Sequence, residues 1–239
     1  MIDMKPILFN TKMVRAILDG RKTKTRRVVK SLDRLSFYRA EPSEDAYEAL
    51  GKWDFFYGWL EGGVMFDACA SVKAPYSIGD ILWVRETWNH VKFGLGDWHY
   101  EYRADYDDTS KWRNGSFAQW RPSIHMPRDA ARIFLRVNDV QVERLNEISQ
   151  SDAIDEGALT CDLCETDEYK ESCEKAKREG SKPPIGYSPR ERFAALWDST
   201  IKNTEITKYG WAANPWVWVI KFERCERPDS ITFISTMLS

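Results

Sequence analysis

The chain carries a basic segment just after its first predicted helix, with the sequence Gly20-Arg21-Lys22-Thr23-Lys24-Thr25-Arg26. The apolar residues between positions 13 and 18 fall on one face at helical spacing, and Asn10 can cap that helix at its start. Gly20 stands where a left-handed C-terminal cap belongs. The helix is therefore predicted to end at Gly20 and to deliver the chain directly into the basic segment.

Charge is distributed unevenly along a chain whose net charge is only −2. Residues 21–30 contain six lysines and arginines and no acid, whereas residues 152–175 are strongly acidic. The net charge is slightly negative, so the protein as a whole does not attract nucleic acid. A polyanion would meet only the local basic patch.

The composition is that of a globular protein with many aromatic residues. Of the 239 residues, 43% are hydrophobic, 30% are charged and 13% are aromatic, including eleven tryptophans. So many aromatic rings form either a large core or a surface on which flat ligands such as bases can stack, and the core is the first expectation.

Membrane and secreted classes are not indicated. No run approaches the roughly 18 apolar residues that a membrane span needs. Residues 1–6 lack the apolar core of a signal peptide. Five cysteines, an odd number, do not suggest a disulfide scaffold. We expect a cytoplasmic protein without a membrane partner.

Several short strands and a few short helices predict an α+β protein that is mainly β. Strands are indicated at residues 7–9, 81–85 and 216–223. Alternating apolar residues indicate strands at 98–106 and at 131–145, and the second is interrupted in phase at Asn138-Asp139 by a bulge or hairpin turn.

Two short helices are expected in the second half of the chain. Ser149 can cap one that carries Glu156 and ends at Gly157. Ser188 opens the other with a capping box and a proline at the first helical position.

The chain is predicted to form one domain over residues 1–239 with two insertions. The first, at about 31–75, is aromatic and looks irregular. The second, at about 158–187, is polar and contains cysteines. Both are expected to decorate a single β-barrel.

Three pieces of the chain resemble the ASCH family of PUA-like domains. They are the helix ending Ala16-Ile17-Leu18-Asp19-Gly20 with the basic segment after it, Gly79-Asp80 leading into Leu82-Trp83-Val84, and residues 148–157 with a later strand that ends in Phe222-Glu223. The resemblance implies a PUA-like β-barrel with flanking short helices. Residues 31–75 and 158–187 lie outside it.

Two further segments are similar to a longer subgroup found among phage and prophage proteins. They are Trp120-Arg121-Pro122-Ser123-Ile124-His125-Met126-Pro127-Arg128 and Asn214-Pro215-Trp216-Val217-Trp218. Membership of this subgroup implies little about chemistry.

The resemblance also implies an activity. Small bacterial members are amidohydrolases that remove an acyl group from the exocyclic N4 of cytidine, and they need no cofactor for catalysis. Their functional lysine, threonine and glutamate fall on Lys22, Thr25 and Glu156 here. The implied ligand is a nucleoside or nucleotide, with RNA as an alternative.

Amide hydrolysis needs a nucleophile, a base and charge for the oxyanion. Lys22 could activate Thr25 if its pKa were lowered by the surrounding cations, and Glu156 could orient Lys22, act as the base itself, or bind the amino edge of cytosine. Direct attack by water is equally allowed. For Lys22 and Thr25 to face one pocket, the backbone must bend before Thr25, because alternate strand residues share a face.

Other residues are candidates for substrate binding. Arg21, Arg26 and Arg27 could hold a phosphate. In the loop after Trp120, we expect Ser123, His125 and Arg128 to form a pocket wall, although a lone histidine is more often a structural hydrogen-bonding residue.

Three cysteines have a spacing that could suit a structural zinc ion. Cys161, Cys164 and Cys173 form a C-x2-C-x8-C array, and a fourth ligand would have to come from elsewhere, for example from Cys225. Free thiols are the competing interpretation.

Three functions remain open at this point. The first is an amidohydrolase that acts on an acylated or otherwise modified pyrimidine. The second is a non-catalytic PUA-like module that binds RNA or a modified nucleotide through the basic segment. The third is a phage assembly accessory protein.

Overall fold

A computed structural model describes most of the chain. The described residues are 4–30, 37–43, 52–61, 64–92, 98–106, 112–113, 116–117, 119–158, 171, 174–175, 178–180 and 188–228. They contain no helix long and apolar enough to cross a membrane.

The described residues form an α+β structure in which strands predominate, as predicted. The strands are β1 (Met4–Leu8), β2 (Lys24–Val28), β3 (Phe37–Pro42), β4 (Lys52–Glu61), β5 (Val64–Lys73), β6 (Ile81–Arg85), β7 (Trp88–Lys92), β8 (Trp98–Tyr102), β9 (Trp112–Arg113), β10 (Ser116–Phe117), β11 (Phe134–Arg144) and β12 (Trp216–Cys225). The α-helices are α1 (Thr11–Leu18), α2 (Gln150–Asp155), α3 (Pro189–Thr200) and α4 (Ile206–Tyr209). Within these residues the strands form four sheets, and none is closed into a barrel.

The chain divides into two compact units, each assembled from separate segments. The first contains residues 1–20, 76–140 and 221–239, and the second contains residues 21–75 and 141–220. The prediction of a single domain with two insertions stays a prediction.

The first unit is built on β6. Strand β1 pairs with β6 in parallel, with Met4 opposite Ile81, and β11 pairs with β6 antiparallel, with Phe134 opposite Trp83. Strands β7 and β8 form a separate antiparallel hairpin. A buried apolar cluster holds the unit together and consists of Met4, Ile81, Trp88, Met126, Ala130, Ala131 and Phe134.

The second unit packs helices α2 and α3 against sheet residues. Strand β12 lies between β11 and β2 in the sheet order. A second buried cluster forms the core and consists of Leu145, Ile148, Ala153, Ala158, Phe193, Trp197, Val217 and Val219. This core positions β2 and α2, which carry the candidate site.

The segment 31–75 is more regular than the sequence analysis expected. Its described residues form the antiparallel sheet β3-β4-β5. Phe55 on β4 is fully buried and packs edge-on against two tryptophans of β12. Its ring centroid lies 5.7 Å from that of Trp216 and 6.2 Å from that of Trp218. The expectation of irregular structure was wrong because Trp53, Phe55 and Tyr57 already have strand periodicity.

The predicted helix termini are confirmed. The side chain of Asn10 accepts a hydrogen bond from the Met13 amide, and Ser149 does the same for Asp152. Ser188 and Glu191 form the expected capping box ahead of α3. Gly20 adopts a φ of +74°, which is the left-handed conformation expected there.

Three strand predictions differ in part from the structure. Strand β11 is continuous over 134–144, so no hairpin turn forms at Asn138-Asp139, and a bulge at that point stays a prediction. The division between the two units falls within this strand, between residues 140 and 141. Strand β8 ends at Tyr102, where a 3-10 turn begins, and β1 covers 4–8 instead of 7–9.

Phe55 and Phe56 are adjacent on β4 and test this packing. We expect Phe55→Ala to lower the free energy of unfolding by about 3–5 kcal/mol, because the fully buried ring leaves a cavity between aromatic neighbours. Phe56 is only partly buried beneath the Arg39 guanidinium, 4.2 Å away, so Phe56→Ala is the matched control and should cost about 1 kcal/mol. Urea denaturation measures both, and equal losses would contradict the assignment of the two faces.

Candidate functional site

The candidate site lies wholly in the second unit. Lys22 precedes β2, Thr25 and Arg26 lie on β2, and Glu156 follows the last residue of α2. All four are buried, with at most 3% of each residue exposed. Polar residues with so little exposure need partners, because an uncompensated buried charge is costly.

The backbone bends before Thr25, as the sequence analysis required. Residues 21–23 are not part of a strand, and β2 begins only at Lys24. The Thr23 amide donates a hydrogen bond to the Asp155 carbonyl over 2.8 Å. This bond ties the bend to the end of α2 and sets Lys22 beside Glu156.

The Lys22 ammonium uses all three of its N–H donors within the site. Nζ lies 2.7 Å from the Lys24 carbonyl oxygen, 2.8 Å from the Glu156 carbonyl oxygen and 2.7 Å from Oε2 of Glu156. Two backbone acceptors therefore fix the position of the nitrogen. The third donor points at the carboxylate, to which a proton can move.

Arg26 completes the neutralisation of Glu156 and joins it to other acids. Its Nη1 lies 3.2 Å from Oε1 of Glu156, and its Nε donates to Oε1 of Glu143 over 2.7 Å. Nη2 is 2.7 Å from the same Glu143 oxygen without the geometry of a second hydrogen bond. Asp152 lies 3.6 Å from Nη2, and the Phe193 ring centroid lies 5.8 Å from the guanidinium carbon.

Lys24 is paired at the more exposed side of the same network. It contacts Asp152 and lies 3.1 Å from Asp155. Partial burial opposes the charge on Lys24, but the hydrogen bonds to Asp152 and Asp155 outweigh it and raise its pKa. Lys22, Lys24 and Arg26 are thus three cations enclosed by four carboxylates, those of Glu143, Asp152, Asp155 and Glu156.

Burial is the main cause of the electrostatic perturbation at the centre. Desolvation lowers the pKa of Lys22, the carboxylate of Glu156 opposes that change, and Arg27 and Arg26 add to it. The pKa of Lys22 is lowered, as predicted, but the neighbouring cations contribute less to this than burial does. Burial also raises the pKa of Glu143 despite its contact with Arg26.

Thr25 is the third predicted catalytic residue, beside Lys22 and Glu156. Successive strand residues point to opposite faces, so Thr25 lies on the face of β2 opposite Arg26, the residue that contacts Glu156. The structure therefore brings Lys22 and Glu156 into contact. Thr25 is also buried, and its role in catalysis stays a prediction.

The predicted substrate-binding residues are distributed over both units. Arg21 and Arg27 are half-buried in the second unit, and Nη1 of Arg27 donates to the Arg26 carbonyl over 3.3 Å. Ser123, His125 and Arg128 lie in two 3-10 turns of the first unit. The roles of all these residues in substrate binding stay predictions.

The predicted zinc ligands Cys161, Cys164 and Cys173 fall outside the described residues. Cys225, the suggested fourth ligand, is a half-buried thiol at the end of β12. Within the described part of the chain no group of three or more histidine, cysteine or acidic residues has a geometry that would hold a metal ion. A structural zinc therefore stays a prediction about residues 161–173.

The sequence analysis missed Glu143, Asp152 and Asp155. Asp152 could have been found, because Asp152, Asp155 and Glu156 have the i, i+3, i+4 spacing that places side chains on one helix face. Glu143 gave no such signal. It lies on β11, and only the pairing of distant strands brings it to Arg26.

The buried pair is tested with a double-mutant cycle. Glu156→Gln leaves Lys22 and Arg26 without the charge between them and should destabilise the protein by about 3–5 kcal/mol, with a similar loss for Lys22→Met. The double variant Lys22→Met/Glu156→Gln should be clearly less destabilised than the sum, because neither charge is then left alone. Urea denaturation supplies the free energies.

The exposed pair Arg39–Glu41 is the matched control, with its charged atoms 3.6 Å apart and its side chains 54% and 44% exposed. Its coupling energy should be about 0–1 kcal/mol. Equal coupling in the two pairs would show that burial is not what makes the Lys22–Glu156 contact strong.

The lowered pKa of Lys22 predicts a pH dependence of stability. Between its folded-state pKa and 10.5, the unfolded chain holds a proton that the folded chain has released. The free energy of unfolding of the wild type, relative to the Lys22→Met/Glu156→Gln double variant, should therefore rise as the pH rises toward 10.5. Urea denaturation at several pH values from neutrality upward tests this, and a constant or falling difference would contradict it.

Comparison with protein-family models, with curated protein sequences and with solved structures finds no match to this chain in any of the three. The resemblance to the ASCH family stays a prediction from the sequence. The function proposed below is therefore argued from the contacts of the site.

Proposed function

We propose that the chain is a hydrolase that removes an acyl group from the exocyclic N4 of a cytidine or a related modified pyrimidine. The observation that carries the proposal is the contact between Nζ of Lys22 and Oε2 of Glu156, 2.7 Å apart, with side-chain exposures of 0% and 3%. Ionisable groups with perturbed pKa values in an enclosed setting are typical of catalytic sites, although structural ion pairs share the feature. The proposal includes the PUA-like ASCH fold, of which the mainly β character is the part observed.

The pair is suited to move one proton. Two N–H groups of Lys22 are held by backbone carbonyls, so its third proton lies on the line to Glu156. Burial lowers the pKa of Lys22, which reduces the free-energy difference between the charged pair and a neutral amine beside a carboxylic acid. The two residues thus act as one acid–base unit.

The proposed reaction uses that unit twice. A water molecule attacks the acyl carbon, and the pair accepts the proton that the water loses. The bond from the acyl carbon to N4 then breaks, and the pair returns the proton to N4, which leaves as the amino group of cytidine. Arg26, already directed at Glu156, supplies positive charge near the developing oxyanion. Thr25, on the opposite face of β2, has no direct step in this scheme.

The burial of the site limits how a substrate can enter it. Lys22, Arg26 and Glu156 are almost fully enclosed, so side chains that cover them must move before a nucleoside reaches the pair. Enclosure keeps bulk water from competing for these charges. A nucleoside substrate also fits the predicted cytoplasmic location.

The charge pairing favours an enzyme over a module that grips RNA through the basic segment. Lys22, Lys24 and Arg26 each contact a carboxylate. Half of the six cations between residues 21 and 30 are therefore already neutralised and are poorly placed to bind phosphates.

Incubation with N4-acetylcytidine, followed by chromatography for cytidine, tests the activity. We expect turnover by the wild type and a loss of about 100-fold or more in Glu156→Gln, because general acid–base catalysis contributes about that much. Thr25→Val should keep most of the activity if water attacks directly. Arg39→Gln, at an exposed position of the same unit, is the control and should be unaffected.

Circular dichroism and urea denaturation of each variant separate a loss of chemistry from a loss of folding. Absence of turnover by the folded wild type would overturn the proposal. Complete loss of activity in a folded Thr25→Val variant would instead make the threonine the nucleophile and reject the scheme above.

A further inference from the structure

Four aromatic rings form a continuous row on the hairpin β7–β8. Trp98 contacts His90 with ring centroids 4.8 Å apart, His90 stacks on Tyr100 at 4.8 Å and 26°, and Tyr100 contacts Trp88 at 5.7 Å. The register explains the row, because His90 is directly opposite Tyr100. Side chains at positions 88, 90 and 92 share one face with those at 98, 100 and 102.

The row runs from the interior of the first unit to its surface. Trp88 is 4% exposed at the inner end, and Trp98 is 59% exposed at the outer end. An exposed tryptophan supported from behind by a stack of rings is held in a fixed orientation. Such a ring offers a flat apolar surface without the entropy cost of ordering a mobile side chain.

The charged side chains at the two ends of this row of four rings are positive. Lys92 is directly opposite Trp98 on the same face and is exposed. At the other end the guanidinium of Arg121 lies 5.3 Å from the Trp88 ring. The six same-face positions of this hairpin, Trp88, His90, Lys92, Trp98, Tyr100 and Tyr102, contain no carboxylate. Glu86 and Asp105 lie near Tyr102, beyond the row of four rings, and both are paired with Arg132.

The inner end also carries an unused donor. Among the described residues, Nε1 of Trp88 is buried and has no hydrogen-bond partner. Buried indole N–H groups normally find an acceptor.

We propose that this face of the β7–β8 hairpin binds unpaired bases of a single-stranded nucleic acid. Bases stack on Trp98 at the exposed end, while Lys92 and Arg121 attract the phosphates on either side. Rings supported by their neighbours and cations at both ends of the row are the combination that such binding needs. A protein partner would gain little from a narrow row of rings with cations at its ends. The surface lies in the first unit, whereas the proposed hydrolase site lies in the second.

Fluorescence anisotropy with labelled ten-residue oligonucleotides tests the proposal on the full chain. Oligo-dT and oligo-rU distinguish DNA from RNA as the source of the bases, and we expect binding to at least one of them. Trp98→Ala should weaken that binding about ten-fold or more, since one stacked base is lost. Lys92→Gln should weaken it less and reduce the slope of log affinity against log salt by about one.

Three controls make the result decisive. Tyr38→Ala removes an aromatic ring with similar exposure, 55%, from the second unit and should leave binding unchanged. An abasic oligomer of the same length should bind much more weakly than oligo-dT. Trp98→Phe, which keeps a flat ring, should retain most of the affinity.

The proposal is overturned if the folded wild type binds neither oligonucleotide, if the abasic oligomer binds as tightly as oligo-dT, or if Trp98→Ala and Tyr38→Ala have equal effects. None of these outcomes depends on hydrolysis of N4-acetylcytidine. Failure of the binding surface and failure of the hydrolase are therefore distinguishable.

Discussion

The second unit depends on the neutralisation of two buried cations, Lys22 and Arg26, by the carboxylates of Glu156 and Glu143. Removing such charges from water costs several kcal/mol for each ion, and only close, well-oriented counter-charges offset that cost. Glu156 contributes both carboxylate oxygens and its backbone carbonyl. The bend before β2 and the end of α2 must therefore come together if the unit is to fold.

The same requirement gives the capping interactions a functional meaning. Ser149 fixes the start of α2, and the Thr23 amide binds the Asp155 carbonyl at its other end. The bond from Thr23 holds the helix end against the bend, so the Lys22–Glu156 distance is set by backbone contacts as well as by charge. A site held in this way is preorganised: little reorganisation is needed when charge develops on a bound substrate.

The two aromatic-rich regions of the chain use their rings differently. In the second unit Phe55 is buried against Trp216 and Trp218 and serves the core. In the first unit the rings of β7 and β8 lead outward to Trp98. Composition predicted either a core or a stacking surface. The strand register decides between them position by position, since it determines which rings meet other rings and which meet solvent.

Local interactions were readable from the sequence because they involve residues a few positions apart. The caps at Asn10, Ser149 and Ser188 and the left-handed Gly20 follow from side-chain chemistry and backbone sterics within single turns. The resemblance to a known motif also singled out Lys22 and Glu156, which are in contact. Only the tertiary structure placed Glu143 beside Arg26 and neutralised half of the basic segment. Those outcomes depend on pairing between strands and helices more than a hundred residues apart, and no local pattern in the sequence encodes which charges such pairing will bury together.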